Sequence, residues 1–120
     1  MKIIVADDSA VIRKIIEKSV ESLGYETLHA GNGQMALELL EKSAEEVALV
    51  ILDWNMPVVN GLEVLKSMRE DSRFGNIPVL MVSTESEEAK IGQVSEAGAN
   101  GYLSKPFKAE ELSAVIQKTI

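Results

Sequence analysis

Short apolar runs alternate with longer amphipathic stretches five times along the chain. The short runs are rich in Ile, Val and Leu, which is typical of strands, whereas apolar residues in the longer stretches recur three or four positions apart, as on one face of a helix. This pattern predicts strands at 3–6, 25–30, 47–52, 78–82 and 101–104. It predicts helices at 11–23, at 35–40, from 61 onward, at 85–97 and at 109–120.

The regular alternation of strands and helices predicts a single α/β domain over residues 1–120. Strands separated by helices pair in parallel, and the helices cover both faces of the sheet, so we expect a (βα)₅ three-layer sandwich. The run 47–52 contains no polar residue, which is typical of a strand buried on both faces. No linker or repeat divides the chain, and we expect no output domain.

Polar residues that are typical of reactive sites follow four of the predicted strands. Asp7 and Asp8 follow the first strand, Asp53 the third, Ser83 the fourth and Lys105 the fifth. In a parallel sheet, the crevice outside the carboxyl ends of the strands binds ligands. We therefore expect these side chains to converge, although they lie far apart in the sequence.

Three of these residues are acids, and their crowding predicts a divalent cation. Carboxylates held within a few ångströms of one another repel and resist ionising together. Mg²⁺ prefers oxygen ligands from carboxylates, backbone carbonyls, water and phosphate. We expect Asp7 or Asp8, Asp53 and one backbone carbonyl, that of Asn55, to hold the ion.

The same cluster predicts chemistry on a phosphoryl group. When its charge is balanced by a cation, the Asp53 carboxylate is able to attack phosphorus as a nucleophile. Lys105 would then supply positive charge to the phosphoryl oxygens, and Ser83 would supply a hydroxyl donor.

Composition narrows the range of functions. The formal net charge of −7 opposes binding to nucleic acid and to anionic membranes. The absence of cysteine excludes disulfides and cysteine-ligated metals, and the single histidine, His29, is expected at the surface and argues against a histidine-based metal site. No apolar run approaches the roughly 20 residues of a membrane helix, and no signal peptide is visible. We therefore expect a cytoplasmic protein.

Each of these residues also has an ordinary structural explanation. Asp7 could simply end a strand before a helix N-cap, Asp53 could be a turn residue, and Lys105 could be an exposed loop lysine. Thr84 is expected to cap the helix that follows it, and Trp54 to be partly exposed beside the site. The coincidence of four strand ends favours the functional explanation.

Four motifs resemble the response-regulator receiver domain over the whole chain, in order and in spacing: ADDS at 6–9, LDWNMPVVNG at 52–61, VST at 82–84 and YLSKPF at 102–107. Nearby residues, including Trp54, Glu85 and Tyr102, are most similar to the stand-alone chemotaxis branch of that family. The resemblance implies a flavodoxin-like fold with a five-stranded parallel sheet of order 2-1-3-4-5.

The resemblance also implies a role for each residue of the site. Asp53 would receive a phosphoryl group from a phosphohistidine on a histidine kinase. The Mg²⁺ ligands of the family correspond here to Asp7, Asp8, Asp53 and the backbone carbonyl of Asn55. Lys105 would bond the phosphoryl group and form a cis peptide bond with Pro106.

The resemblance further implies how the signal leaves the domain. Ser83 would move toward the phosphoryl group and the ring of Tyr102 would turn inward, which changes the surface formed by the fourth helix, the fifth strand and the fifth helix. In the chemotaxis branch that surface binds the flagellar motor switch; another protein effector would use it in the same way. Asn55 and Glu85 would tune dephosphorylation, in which a phosphatase is a further expected partner. Thr84 departs from the Ala or Gly that relatives often carry, and we expect a monomer.

Other functions share parts of this pattern. A Mg²⁺-dependent phosphohydrolase would use the same acids, but it needs a cap or substrate loops that the chain has no insertion to provide. A flavin- or nucleotide-binding relative needs a phosphate loop after the first strand, where this chain carries two acids. A binding module that never takes up phosphate would not need the full set of acids, hydroxyl and lysine, and a receiver cut from a larger regulator would carry the same motifs. We therefore expect a phosphoacceptor switch rather than an enzyme that acts on external substrates.

Overall fold

The computed structural model of the chain describes residues 1–84, 92–93 and 95–120. One parallel sheet contains the strands β1 (Lys2–Ala6), β2 (Glu26–Ala30), β3 (Val47–Asp53), β4 (Val79–Thr84) and β5 (Gly101–Lys105). Their order across the sheet is β2-β1-β3-β4-β5. The described α-helices are α1 (Ala10–Ser22), α2 (Gly33–Ser43), α3 (Gly61–Glu70) and the C-terminal helix (Ala109–Thr119). None of them is long and apolar enough to cross a membrane.

This architecture confirms the predicted fold class and strand order. The strand bounds differ from the predicted ones by one or two residues, but α2 is longer at both ends than the predicted 35–40. It begins early because the Asn32 side chain accepts a hydrogen bond from the Met35 backbone N–H at 2.8 Å, and it continues through Glu41–Ser43, where no apolar residue marks the helix. The predicted helix at 85–97 falls largely outside the described residues.

The hydrophobic core has two layers, one on each face of the sheet. Alternate residues of a strand point to opposite faces, so Ile4 packs with the residues under α2 and α3, whereas Ile3 packs with those under α1 and the C-terminal helix. The central strand β3 is buried along almost its whole length. The sheet therefore provides a rigid base whose carboxyl edge carries the polar residues predicted to react.

Side-chain caps begin two helices close to that edge. Ser9 accepts a hydrogen bond from the Ile12 N–H at 3.3 Å at the start of α1. Asn60 and Glu63 form a reciprocal capping box at the start of α3, with distances of 2.9 and 3.0 Å. These caps fix where the helices begin after the loops that follow β1 and β3.

Gly61 allows α3 to start directly against the end of β3. A Cβ atom at this position would lie 2.2 Å from the backbone oxygen of Asp53, which no side chain tolerates. The Gly61 N–H also donates to the Trp54 carbonyl at 2.9 Å. The backbone beside Asp53 is therefore held by helix packing as well as by the sheet.

Candidate functional site

Three acids meet at the carboxyl edge of the sheet. One carboxylate oxygen from each of Asp7, Asp8 and Asp53 lies within 4.8 Å of the other two. Asp53 ends β3, and Asp7 follows β1. Both are buried, with 7% and 2% of their surface exposed, whereas Asp8 is exposed. The structure thus brings together acids that stand about 45 positions apart in the sequence, as the strand-end rule predicts.

Lys105 completes this cluster from the end of β5. Its Nζ atom donates to Asp7 Oδ2 at 2.8 Å and lies 3.3 Å from Asp53 Oδ1. Only 19% of the side chain is exposed, so the alternative of an exposed loop lysine is wrong. The peptide bond between Lys105 and Pro106 is cis.

The acids retain excess negative charge despite this lysine. Burial, followed by the nearby charge of Asp7, raises the pKa of Asp53 from 3.8 to about 6, and Lys105 offsets only part of this rise. Burial alone would lower the pKa of Lys105, but the hydrogen bond to Asp7 and the charge of Asp53 outweigh it, so the pKa is raised. The lysine is therefore firmly protonated, while the pocket still favours additional positive charge.

Asp7 is held through all of its polar groups. Its N–H donates to the Ala30 carbonyl at 3.1 Å, its Oδ1 accepts from the Ser9 N–H at 2.8 Å, and its Oδ2 accepts from Lys105. Its backbone carbonyl accepts a hydrogen bond from Nη1 of Arg13 on α1. The sequence did not predict this contact, because it shows only a basic residue about one helical turn after the N-cap.

The predicted switch residues lie on β4 and β5. Ser83 is 1% exposed on β4, beside the position at which β3 ends in Asp53. The Tyr102 ring on β5 is partly buried, and its hydroxyl donates to the Thr84 carbonyl at 3.3 Å. Glu85, which was predicted to tune dephosphorylation, lies outside the described residues.

The loop after β3 differs from the sequence prediction at Trp54. We expected a partly exposed ring, but Trp54 is 7% exposed and belongs to the core layer under α2 and α3. The prediction was wrong because the Trp54 carbonyl accepts a hydrogen bond from the Gly61 N–H at 2.9 Å, which ties this residue to the start of α3 beside the core. Asn55, the next residue, is exposed.

A strained turn in the same loop was also missed. Val58 has a φ of 69°, and the Val59 N–H donates to the Pro57 carbonyl at 2.8 Å, which closes a γ-turn. A β-branched residue rarely adopts this backbone conformation. The sequence carries no glycine or asparagine at 58 that would have signalled it.

The donor set of the cluster fits a hard divalent cation. All of its ligand atoms are carboxylate oxygens, and Mg²⁺ binds oxygen ligands in near-octahedral geometry with several waters retained. The raised pKa of Asp53 reports uncompensated negative charge that such a cation would relieve. Asp7, Asp8 and Asp53 are therefore suited to hold Mg²⁺, and the loop carrying Asn55 follows directly.

Comparison with known proteins places the chain in a family. Residues 3–117 match the model of the response regulator receiver domain, and the chain belongs to that family. This confirms the resemblance found in the sequence.

Several curated relatives are chemotaxis proteins. The chain is 42% identical over 118 residues to the chemotaxis protein CheY1 of Helicobacter pylori, covering 98% of this chain and 94% of that protein. It is 37% identical over 119 residues to the chemotaxis protein CheY-3 of Vibrio cholerae, covering 98% and 90%. Among solved structures, the chemotaxis response regulator CheY4 of Vibrio cholerae superposes with a TM-score of 0.91 at 34% identity, covering 99% and 98% of the two chains. The chain is thus a CheY-like receiver domain of two-component signalling.

Proposed function

We propose that this chain is a phosphoryl-accepting switch in chemotaxis, loaded on Asp53 by a histidine kinase. The observation that carries the proposal is the meeting of Asp7, Asp8 and Asp53 at one sheet edge, with Lys105 Nζ 3.3 Å from Asp53 Oδ1. Membership of the receiver family supports a phosphohistidine as the donor, and the chemotaxis relatives support the pathway.

In the proposed reaction, a carboxylate oxygen of Asp53 forms a bond to the phosphorus atom of the phosphohistidine. The phosphorus–nitrogen bond breaks, its electron pair returns to the imidazole ring, and the ring takes up a proton from solvent. The product is an aspartyl phosphate, and later attack by water returns the carboxylate and releases inorganic phosphate. The chain therefore acts on its own side chain and does not turn over an external substrate.

Mg²⁺ is the proposed cofactor. Asp7, Asp8, Asp53 and the backbone carbonyl of Asn55 would hold it. The ion would neutralise charge on the carboxylates and on the phosphoryl oxygens as they approach each other. The raised pKa of Asp53 supports a need for this charge, because the lysine alone leaves the carboxylate destabilised.

Lys105 and Ser83 are the proposed partners of the bound phosphoryl group. The Lys105 ammonium already lies beside Asp53, so little movement would bring it to a phosphoryl oxygen. Ser83 is buried on the neighbouring strand, where its hydroxyl could donate to a second oxygen. Charge-assisted hydrogen bonds of this kind contribute about 1.5–3 kcal/mol each.

The proposed output is a change in the affinity of one surface of the protein for its partner. Moving most of the population between two states takes about 3–5 kcal/mol of differential stabilisation, which two such bonds supply. Ser83 and Tyr102 would carry the change to the surface formed by the predicted fourth helix, β5 and the C-terminal helix. The proposed partner is the flagellar motor switch. Asn55 and Glu85 would set the lifetime of the phosphoryl group on Asp53, and a phosphatase would shorten that lifetime. We place this monomeric switch in the cytoplasm.

A phosphorylation assay tests the proposal. The protein is incubated with Mg²⁺ and a small acyl phosphate or phosphoramidate, and its intact mass is measured. We expect one acid-stable, base-labile phosphoryl group on the wild type and none on Asp53→Asn. Modification of Asp53→Asn to the same extent would reject the assignment. Continuous release of phosphate from an external phosphoester at ordinary enzyme rates would instead indicate a phosphohydrolase.

A further inference from the structure

We propose that Arg13 is a positioning residue for the divalent cation and that it acts by fixing the peptide bond between Asp7 and Asp8. This inference rests on the proposed function, because it takes both acids as metal ligands. Arg13 lies in the first turns of α1, and its Nη1 atom donates to the backbone carbonyl of Asp7.

The bonded carbonyl belongs to the peptide bond that joins the two acids. Because a peptide bond is planar, fixing this carbonyl also fixes the N–H and the Cα of Asp8, the atom from which its side chain leaves the backbone. The carboxylate of Asp7 is already held by the Ser9 N–H and by Lys105. Arg13 therefore supplies a constraint through which α1 sets the position of the exposed acid, Asp8.

Arginine at this position is poorly explained by stability alone. The Arg13 Nε atom is buried and has no hydrogen-bond partner in the part of the chain that the structure describes. A buried donor without a partner lowers stability, and an unbranched apolar side chain would fill much of the same space without that cost. This favours a role that depends on the guanidinium contact with Asp7.

The direction in which Mg²⁺ affinity changes when Arg13 is replaced distinguishes a positioning role from a purely electrostatic one. The guanidinium brings positive charge to the backbone of Asp7, one of the three clustered acids, and charge alone opposes a divalent cation. Its removal would then tighten Mg²⁺ binding, whereas loss of positioning would weaken it. Groups that orient metal ligands change metal affinity by about 10–100-fold when they are removed. We therefore expect a net loss of about ten-fold in Mg²⁺ affinity for Arg13→Met.

Calorimetric titration with Mg²⁺ tests this inference on the wild type, Arg13→Met, Arg13→Lys and Lys14→Met. Lys14 is the exposed neighbour on α1, so Lys14→Met removes the same charge without touching Asp7. Arg13→Lys keeps the charge and one donor and should recover part of the lost affinity. Lys14→Met should bind as the wild type or slightly more tightly. Urea unfolding in EDTA, measured in parallel, reports stability separately from affinity.

The outcomes decide between the possible roles. Wild-type or tighter Mg²⁺ binding by Arg13→Met overturns the inference, as does an equal loss in Lys14→Met. If Arg13→Met does not fold, NMR of the arginine side-chain N–H groups in the wild-type protein replaces the titration. The Arg13 resonances should shift when Mg²⁺ saturates the site. The resonances of Arg69, which donates to the Gly98 carbonyl, are the control and should not shift. Unchanged Arg13 resonances overturn the inference. Failure of the wild type itself to bind Mg²⁺ would instead reject the proposed function.

Discussion

Replacing Asp53 by asparagine should stabilise the metal-free protein. The folded state raises the pKa of this carboxyl from 3.8 to about 6, so the folded state binds a proton more tightly than the unfolded state does. An acid with a raised pKa makes the folded protein lose stability as the pH rises from about 4 to above 6. Asparagine has the same shape but no charge, so it avoids that loss.

The size of the gain follows from the pKa. Since one pKa unit corresponds to about 1.4 kcal/mol, the rise from 3.8 to about 6 is worth at most about 3 kcal/mol at pH 7. The variant loses part of the ion pair with Lys105, which offsets some of the gain. We therefore expect Asp53→Asn to raise the free energy of unfolding by about 1–3 kcal/mol at pH 7, and by little at pH 4, where the folded state holds either side chain neutral.

Urea denaturation in EDTA at pH 4 and at pH 7 measures this difference. Glu70→Gln is the matched control, because it removes an exposed acid from α3 and should change stability little at either pH. A variant no more stable than the wild type at pH 7 would contradict the reasoning. So would a gain of the same size at both pH values, because that gain could not come from ionisation.

Three further changes test other parts of the structure. Val58→Asn should raise the free energy of unfolding by about 1 kcal/mol, because asparagine tolerates the left-handed backbone and the exposed valine loses little packing; an unchanged urea midpoint would contradict this. Arg69→Met should lower the free energy of unfolding by about 2–3 kcal/mol, because the Arg69 guanidinium donates to the Gly98 and Ile77 carbonyls at 2.9–3.1 Å. A urea midpoint equal to that of the wild type would show that those bonds do not stabilise the fold. Lys105→Met should weaken binding of beryllofluoride, a phosphoryl mimic, by at least about ten-fold in the presence of Mg²⁺, measured by calorimetry; equal affinity would remove Lys105 from the proposed site.

The sequence was sufficient for the fold class because its signals are local. The uninterrupted apolar run before Asp53 indicates a central strand, and regular alternation with helices indicates a parallel sheet. The rule that ligands bind at the carboxyl edge then predicts that Asp7, Asp53 and Lys105 converge. Their separations in the structure agree with that prediction, although the order of the strands came from the family resemblance.

Features that depend on backbone geometry or on contacts between distant segments could not be predicted. The bond from Arg13 to the Asp7 carbonyl is an example, because a carbonyl acceptor leaves no trace in the sequence. The γ-turn at Val58 is imposed by its neighbours against the preference of valine. The burial of Trp54 follows from where α3 starts, which Gly61 allows by fitting against the Asp53 backbone.

The central claim is that the clustered acids Asp7, Asp8 and Asp53 form a Mg²⁺ site. Calorimetric titration with Mg²⁺ of the wild type, Asp53→Asn and Asp7→Asn tests it most directly. We expect one Mg²⁺ per chain, a rise in melting temperature at saturating Mg²⁺, and much weaker binding in both variants. Binding that is undetectable in the wild type, or equally tight in all three proteins, would contradict it.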